Sequence, residues 1–593
     1  MPTLLPALVG VATFLTFLPA LYNGFVNWDD TGMLLENPYH RGPWGDRLRG
    51  AWTQRVLGEY MPVTWMTYAL DRALWDLDAP GYHLTNLLVH VGTAIAVYAL
   101  ARRLLRHALG AGRPDTDGHA LEVGAAVAAL VFALHPLRAE PVAWLSARDV
   151  VLGGLLFVLS VLCYVAGWDR RGAAGRVPTA WLLGSAALFA AALLSRATAV
   201  VLPAVLVALD VYPLRRLRGG VRAWLGPAAR VVWVEKAVHA LIGALGVPMG
   251  FLARGEQPGD FLRAAWDPLI GVAWAVYTAA SYLWHGVGLA PLGPVYRMPT
   301  REDPMWGVLA LSATALVLVT GILVAGRRRW PGALTAWVVY LIVLAPTSGL
   351  VPFGRIRGAS DRYTYVACIG WAIVAGGAAA LGWRAWREGR VSRGRGLAVG
   401  GLVVVVLGGW SVLTWRQVQV WQSGVTLWTR ALEVYPGSIV ARNNLALLLA
   451  QRGDLQGAEG HFRAVTAAWP TSAGAFQNLG RTLAAQGKLA EALAALTRAV
   501  ELAPGSAAVR VDLGTVLFNL GRLDDAVAEL ERGVELAPRS ARAHESLGTV
   551  LWRQGRKAEG ARHLQQSALL RSGMPGREDP AAPPPGADGA GGS

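Results

Sequence analysis

The chain has 593 residues, of which 54% are hydrophobic and only 16% charged, and its mean hydropathy is +0.37. A water-soluble protein of this length carries about a quarter charged residues. Long apolar runs account for the difference, and several of them reach the roughly 20 residues that cross a hydrocarbon layer. The composition therefore excludes an ordinary soluble protein and predicts a polytopic membrane protein.

The net charge of +16 does not indicate a nucleic-acid partner, because the basic residues are concentrated in short loops between apolar runs. Such clustering is typical of cytoplasmic loops under the positive-inside rule. The basic loops are 101–107, 168–176, 213–220, 326–330 and 383–396.

In chain order, the apolar pattern predicts twelve segments, of which we expect eleven to cross the membrane. Segment 268–289 is the expected exception, since its Trp, Tyr and His residues suit an interfacial or re-entrant helix. This topology places loop 351–362 and everything after residue 416 outside the cytoplasm. Residues 4–22 are expected to be a retained span. The predicted segments are 4–22, 84–104, 121–135, 149–167, 179–194, 199–214, 232–252, 268–289, 306–326, 331–351, 363–383 and 397–415.

The two cysteines, Cys163 and Cys368, both lie in apolar runs. Neither a structural disulfide nor a metal site built on cysteine is expected from them.

After the last apolar segment the sequence becomes repetitive, with a period of 34 residues. A helix, a glycine turn, a second helix and a proline recur in that order, which predicts tetratricopeptide repeats. Each helical hairpin buries one face on its neighbours, so several must stack. We expect a membrane domain at 1–416, a repeat domain at 417–571 and a disordered tail at 572–593. The residues in register are Pro436, Pro470, Pro504, Pro538, Gly453, Gly487, Gly521, Gly555, Leu445, Leu479, Leu513 and Leu547.

Acidic and basic residues follow the apolar segments in four loops that the predicted topology places on the outer face. These loops are 23–83, 134–154, 195–203 and 352–367. Ionisable residues at a membrane edge are functional candidates because they are costly to keep there. The candidates are Asp29, Asp30, Arg138, Glu140, Arg148, Asp149, Arg196, Arg355, Arg357 and Arg362, with His135, Asp361 and Tyr363 as supporting polar residues.

Four segments together resemble the GT-C superfamily of polytopic membrane glycosyltransferases. They are "FVNWDD", "PGYHLTNLLVH", "LHPLRAEPVAWLSARD" and "SDRYTYV", and with the C-terminal repeats they are most similar to the transmembrane and tetratricopeptide-repeat O-mannosyltransferases. The similarity extends from about residue 5 to 570. It implies an all-α, GT-C-like membrane domain of 11–12 spans followed by a repeat solenoid. It also implies a polyprenyl-phosphate sugar donor, plausibly carrying mannose, and a protein or glycan hydroxyl as acceptor.

The resemblance implies that Asp29 or Asp30 deprotonates or orients the acceptor hydroxyl. A carboxylate can take the proton of an attacking alcohol, and a second acid beside it raises one pKa. A divalent metal held by Asp29 and Asp30 is the alternative role, since hard cations prefer carboxylate oxygens. The anionic lipid phosphate that leaves requires cations, and arginine binds phosphate in a bidentate manner. The expected phosphate ligands are Arg148, Arg196 and Arg362, followed by Arg138.

Structural roles remain open for the same residues. Asp29 or Asp30 could only cap the helix that begins at Thr31, Glu140 and Arg148 could form an ion pair, and Asp361 with Arg362 could start a helix. The histidines lack metal-ligand spacing and are expected to be core or interfacial.

The repeats are expected to hold a protein acceptor, or a partner protein, on the outer face of the membrane, which in a bacterium would be the cytoplasmic membrane. The alternative is a catalytically silent, membrane-anchored scaffold. A transporter or polymer ligase would predict inverted repeats in the membrane half, and the sequence shows none.

Overall fold

The computed structural model describes residues 4–40, 42–110, 114–172, 175–252, 268–287, 290–350 and 358–572. Over these ranges the regular structure is helical, and the only β-pairing is one isolated bridge between Val56 and Glu59. The predicted all-α class, a membrane domain followed by a repeat solenoid, is confirmed. The chain forms two compact units that divide between Thr426 and Leu427, and each is described separately. The predicted disordered tail and the candidates Arg355 and Arg357 lie outside the described residues.

The first unit contains the apolar helices and the short helices that connect them. Every apolar segment predicted from the sequence overlaps one of these helices. They are α1 Leu4–Phe17, α2 Trp44–Thr53, α3 Pro62–Trp75, α4 Ala79–Leu109, α5 Pro114–Ala133, α6 Ala139–Ala143, α7 Arg148–Asp169, α8 Thr179–Ser195, α9 Leu202–Val211, α10 Val221–Trp224, α11 Arg230–Leu252, α12 Pro268–His285, α13 Trp306–Ala325, α14 Pro331–Leu344, α15 Thr364–Ala367, α16 Ile369–Arg387 and α17 Arg393–Gln419.

Among the described residues, five helical stretches are long and apolar enough to cross a membrane, and three further apolar helices are shorter. Two helix pairs would add a crossing each, but they bend by 59° between α5 and the segment Pro136–Ala143, and by 53° between Asp361–Ala367 and α16. The protein is therefore an integral membrane protein, while the predicted number of crossings stays a prediction. The five stretches are Leu4–Tyr22, Ala79–Leu109, Leu145–Asp169, Trp306–Ala325 and Arg393–Gln422.

Helices α5 and α16 pack against each other through glycine. A Cβ atom built on Gly376 would lie 2.2 Å from the carbonyl oxygen of Gly124, and one built on Gly124 would lie 2.6 Å from the carbonyl oxygen of Gly376. Small residues let membrane helices approach to backbone contact. This contact holds the bent end of α16, and with it residues 361–367, against the bent end of α5.

The basic loops meet at one end of the helices. Arg106 at the end of α4 pairs with Asp169 at the end of α7, with 2.6 Å between Nη2 and Oδ2. Arg215, Arg328 and Arg329 line one cavity together with the last residues of α4. The structure thus brings together charges that the positive-inside rule assigns to a single face.

Helix α12, the predicted exception to crossing, makes hydrogen bonds with the loop that follows it and with the turn after α5. Near its start the indole of Trp274 donates a hydrogen bond to the carbonyl of Pro299, at 2.7 Å. Just past its end the carbonyl of Gly286 lies 3.0 Å from Nε2 of His135. Whether α12 crosses the membrane or lies at its surface stays a prediction.

The second unit is a stack of helix pairs. The bounds are α18 Gly424–Val434, α19 Ile439–Gln451, α20 Leu455–Ala468, α21 Ala473–Ala485, α22 Leu489–Leu502, α23 Ala507–Asn519, α24 Leu523–Leu536, α25 Ala541–Arg553 and α26 Lys557–Ser572.

The 34-residue period corresponds to repeated local chemistry in this unit. Glycines at the turn within each pair have φ between +77° and +96°, a conformation that side chains disfavour. A serine caps the first helix of each pair, as Ser472 does by accepting a hydrogen bond from the Ala475 amide. Alanine and leucine side chains that face neighbouring pairs form one continuous core.

Candidate functional site

The two adjacent aspartates of the first loop have different surroundings. Asp30 is buried, and both of its carboxylate oxygens accept hydrogen bonds. Oδ2 accepts from the Val26 amide at 3.0 Å. Oδ1 accepts from the Ser146 amide at 3.0 Å and from the Ser146 hydroxyl. Burial raises the pKa of Asp30 to about 6, and these hydrogen bonds oppose the rise. Asp30 does not cap the helix at Thr31–Leu35 through its side chain, so capping is not its role. It joins the first loop to the loop before α7.

Asp29 is half-buried, and no described residue donates a hydrogen bond to its carboxylate. Burial raises its pKa. The positive charge of Arg362 opposes that rise, and the negative charge of Asp149 adds to it. The Asp29 carboxylate is therefore uncommitted, meaning that it accepts no hydrogen bond from a described residue, and two charged side chains from other parts of the chain lie near it.

Arg362 lies in the segment Asp361–Ala367, which bends away from the start of α16, and it connects this segment to α6. Its guanidinium forms an ion pair with Glu140, and its amide donates to the same carboxylate at 3.3 Å. The guanidinium also lies over the rings of Trp144 and Tyr363, at 5.0 Å from each centroid. The alternative in which Glu140 pairs with Arg148 is therefore wrong: Glu140 pairs with Arg362 because the bend after α5 turns α6 toward residues 361–367.

Arg196, at the end of α8, approaches the same place from another direction. Its Nη1 pairs with Asp149, its Nε donates to Thr198 Oγ1 at 3.0 Å, and the guanidinium lies 5.9 Å from the Tyr363 ring centroid. Arg196 and Arg362 both line one small cavity of about 40 Å³. Four of the predicted residues, Asp149, Arg196, Arg362 and Tyr363, thus come together next to Asp29.

Arg148 does not belong to this cluster, because its guanidinium is bound by other residues. It is fully buried, with Nη1 2.5 Å from Asp71 Oδ2, Nε donating to Asn86 Oδ1 at 2.6 Å and Nη2 donating to the Tyr82 carbonyl at 3.0 Å. Three partners on three sides leave no room for a phosphate. The structure does not support the expectation that Arg148 binds the donor, and it makes this side chain a link between α3, α4 and α7.

Arg138 and His135 face a different cavity, of about 230 Å³, which also contains Cys368. Arg138 donates to Thr364 Oγ1 at 3.0 Å, and its Nε and Nη1 have no hydrogen-bond partner among the residues that the structure describes. His135 accepts at Nδ1 from the Leu137 amide, at 3.2 Å. Arg138 is therefore separate from the pair formed by Arg196 and Arg362.

Asp361 begins a short helical turn, as one sequence alternative expected. The Tyr296 hydroxyl donates to its carboxylate at 2.8 Å. This hydrogen bond ties the loop before α13 to the start of the α16 region.

Three tryptophans support the Asp29 segment. Trp28 stacks on Trp144 at 4.9 Å and on Trp421 at 6.4 Å, and Trp144 and Trp421 are 5.5 Å apart. The turn Val420–Gln422, directly after α17, also holds this segment, since Gly24 donates its amide proton to the Gln422 carbonyl at 3.0 Å. Trp144 therefore contacts both Trp28, next to Asp29, and the guanidinium of Arg362.

Ser146, Asp71 and Trp144 belong to the site but were not among the residues predicted from the sequence. Of the three, only Asp71 offered a signal, as an acid in an aromatic-rich outer loop. The packing of Ser146 and Trp144 depends on the loop conformation at 144–147, which no local pattern specifies.

A second buried charge cluster lies at the basic end of the first unit. Lys236 pairs with Asp210 at 2.5 Å, and Arg216 pairs with Glu235 at 2.6 Å. The hydroxyl of Tyr164 lies at the centre, 2.9 Å from Asp210 Oδ2. Two acids balance two bases, so this cluster fixes the ends of α7, α9 and α11 and leaves no charge uncompensated.

Among the residues that the structure describes, no group of three or more His, Cys, Asp or Glu side chains is placed to hold a metal ion. The Asp30 oxygens already accept hydrogen bonds, so the alternative in which both aspartates bind a metal needs Asp30 to give them up. Cys163 and Cys368 are free thiols.

These features define an integral membrane protein with an acid and arginine cluster at one face and a helical-repeat unit after its last apolar helix. Models of the tetratricopeptide repeat match residues 421–473, 443–507, 483–549 and 541–566. The repeats predicted from the period are confirmed.

Comparison with curated proteins confirms the predicted resemblance. The chain is 31% identical over 175 residues to "Protein O-mannosyl-transferase TMTC2" of Mus musculus, a match that covers 30% of this chain and 19% of the relative. It is 24% identical over 510 residues to "Protein O-mannosyl-transferase TMTC1" of Homo sapiens, covering 78% of this chain and 55% of the relative. The chain thus spans about a fifth to about half the length of these relatives.

Among solved structures, the crystal structure of MamA covers 25% of this chain and 88% of its own, with 21% identity and a TM-score of 0.24. YrrB, described as "a TPR protein with an unusual peptide-binding site", covers 25% of this chain and 77% of its own, with 22% identity and a TM-score of 0.23.

Proposed function

We propose that this protein is a membrane glycosyltransferase that moves a sugar from a polyprenyl-phosphate donor to a hydroxyl group on the extracytoplasmic side. One observation carries the proposal: Asp29 keeps an uncommitted, half-buried carboxylate next to Arg362, whereas its neighbour Asp30 is fully hydrogen-bonded. Residues 1–416 would perform the transfer and residues 417–571 would carry the repeats.

Asp29 is the base in this proposal. A general base must reach the proton that it removes and must be deprotonated at the working pH. Burial raises the pKa of Asp29, which strengthens it as a proton acceptor, and the positive charge of the nearby Arg362 opposes that rise. Asp30 positions Asp29 by fixing the loop at Val26 and Ser146.

Arg196 and Arg362 hold the donor phosphate. Each uses part of its guanidinium in an ion pair, with Asp149 and with Glu140, and a guanidinium has five N–H donors, so others remain for phosphate oxygens. The small cavity that they line also includes the apolar residues Phe157 and Val366. A polar headgroup and an apolar chain would both find suitable surroundings there.

In the proposed step, the acceptor oxygen forms a bond to the anomeric carbon of the sugar. The bond between that carbon and the phosphate oxygen breaks, and its electron pair leaves with the polyprenyl phosphate. The hydroxyl proton passes to the Asp29 carboxylate. Arg196 and Arg362 stabilise the charge that the leaving phosphate gains in the transition state.

The names of the relatives, protein O-mannosyl-transferases, make mannose and a protein hydroxyl the first donor and acceptor to test. The repeats support a protein acceptor, because helical-repeat solenoids offer extended binding surfaces. A partner protein bound there is the other role that we would test.

The experiment is transfer by membranes that contain the full chain, with a panel of polyprenyl-phosphate sugars. Asp29→Asn should lower the rate by about 10²- to 10⁴-fold, the usual contribution of a general base. Asp78→Asn is the matched control, since Asp78 is exposed in the same loop and its side chain caps nothing. Transfer that survives Asp29→Asn unchanged would overturn the assignment of the base.

Two further outcomes would bear on the whole proposal. Wild-type membranes that transfer no sugar of the panel would favour the membrane-anchored scaffold. A topology reporter fused after residue 571 should read extracytoplasmic, and a cytoplasmic signal would remove the repeats from the acceptor's side.

A further inference from the structure

A larger apolar cavity, of about 720 Å³, lies at the basic end of the first unit. Helices α4, α7, α9, α14 and α16 line it, with side chains such as Leu104, Val161, Leu209 and Ile373. Ala378 and Leu381 of α16 also line it and are exposed, Leu381 to 52%. The cavity therefore opens sideways, from the interior of the helix bundle to the surface that faces lipid.

Three arginines lie at the mouth of this cavity, namely Arg215, Arg328 and Arg329. They come from two loops that are more than a hundred residues apart, and all three are exposed. None of them forms an ion pair with a described acid, whereas Arg106 nearby pairs with Asp169. An apolar cavity with a cluster of uncompensated positive charge at one end matches a molecule with an apolar chain and an anionic head.

We propose that this cavity binds an anionic phospholipid of the cytoplasmic leaflet. Its phosphate would contact Arg215, Arg328 and Arg329, and an acyl chain would occupy the cavity between α4, α7 and α16. Basic pockets between membrane helices on the cytoplasmic side are suited to such headgroups. Its three arginines are different from the arginines of the proposed transfer site, and its occupation does not depend on sugar transfer.

Charge decides between this lipid and the chain of a polyprenyl donor. Phe157 and Val366 line both this cavity and the small one beside Arg196 and Arg362, so a long apolar chain could pass from one to the other. A donor whose phosphate lies at Arg196 and Arg362 would place only its uncharged tail near the basic mouth. Three uncompensated arginines there favour a ligand whose own charge is at the cytoplasmic end.

The test is native mass spectrometry of the full chain in detergent, titrated with phosphatidylglycerol or phosphatidylcholine. The wild type should retain one phosphatidylglycerol and bind it more tightly than phosphatidylcholine. Arg328→Gln with Arg329→Gln should weaken phosphatidylglycerol binding by about 25-fold, since each arginine near a phosphate contributes about fivefold. Arg327→Gln is the matched control, because Arg327 belongs to the same cluster but does not line the cavity.

A second variant separates the apolar part of the site. Ala378→Phe fills the cavity from an exposed position of α16 and should reduce binding without loss of fold, checked by the reactivity of Cys163 and Cys368 with a thiol dye. Equal binding of both lipids, or equal loss in Arg327→Gln, would overturn the proposal. Displacement of phosphatidylglycerol by a polyprenyl phosphate at equal concentration would also overturn it, by assigning the cavity to the donor. Displacement by glycerophosphate alone would do so as well, since the acyl chain would then contribute nothing.

Discussion

The pair formed by Arg362 and Glu140 allows the structural and catalytic roles of one arginine to be separated. The two side chains are only 6% and 3% exposed. Arg362→Gln leaves the Glu140 carboxylate buried without its cation, and breaking such a pair costs about 3–5 kcal/mol. Loss of activity in this single variant would therefore not distinguish a folding defect from a lost phosphate ligand.

The double variant Glu140→Gln with Arg362→Gln removes both charges. Replacing both members of a buried pair by neutral groups is often close to neutral for stability, since each charge also loses its desolvation cost. We expect the double variant to regain most of the 3–5 kcal/mol that the single variant loses. Sugar transfer should stay low in both, because neither contains the cation that would hold the leaving phosphate.

Stability and transfer are measured on the same membranes. A thiol-reactive dye reports unfolding through Cys163 and Cys368, which are free thiols, and transfer is followed with the donor panel. The matched control is Arg216→Gln with Glu235→Gln, a buried pair in the charge cluster at the opposite end of the unit. That variant should keep the transfer rate per folded protein, with the folded fraction taken from the dye measurement. Full recovery of transfer in the Glu140 and Arg362 double variant would refute the assignment of Arg362 to the donor phosphate.

The remaining predictions concern pH, packing and metal. The pKa of Asp30 is about 6, against 3.8 for a free aspartate, so the folded state binds this proton more tightly than the unfolded state. The free energy of unfolding should therefore rise by up to about 3 kcal/mol as the pH falls from about 6 to about 4. A free energy of unfolding that does not change over this pH range would contradict this. The transfer rate should instead fall as the pH is lowered, because Asp29 must be deprotonated to act as the base. Since the pKa of Asp29 is raised, the midpoint of that fall should lie above pH 3.8, and a midpoint at or below pH 3.8 would contradict this. Gly376→Ala should destabilise the protein by about 1–3 kcal/mol, since its Cβ would meet the Gly124 carbonyl at 2.2 Å, whereas Gly382→Ala, with nothing within 4 Å, should not. Removal of divalent cations by a chelator should leave transfer unchanged if the Asp30 oxygens keep their hydrogen bonds, and a loss that Mg²⁺ or Mn²⁺ restores would revive the metal alternative.

Much of the fold could be read from local pattern. The apolar segments were predictable because crossing hydrocarbon needs long uncharged runs whose backbone bonds stay within the helix. The repeats were predictable because Gly453 and its equivalents must adopt positive φ at each turn. The convergence of basic loops followed from charge alone, since Arg215 and Arg328 belong to clusters of the kind that stay on one face.

The pairing of charges in the site could not be predicted in the same way. Sequence proximity suggested Glu140 with Arg148, but the partners are Arg362 and Asp71. Those partners lie 222 residues and 77 residues away along the chain. Glu140 meets Arg362 because the bends after α5 and before α16 bring the two segments together, and Arg148 meets Asp71 through the packing of α7 against α3. Ion pairs have no periodic signature in a sequence, so their partners depend on tertiary packing.

The aspartate pair shows the same division. By itself the sequence determined that this is a helical membrane protein with tetratricopeptide repeats and that two adjacent acids follow its first apolar helix. Hydropathy and turn chemistry suffice for those statements, because each depends on neighbouring residues. Only the tertiary structure distinguished Asp30, whose oxygens are held by Val26 and by Ser146 of a distant loop, from Asp29, which stays uncommitted. Two chemically identical side chains acquire different roles only when residues far along the chain fold around one of them.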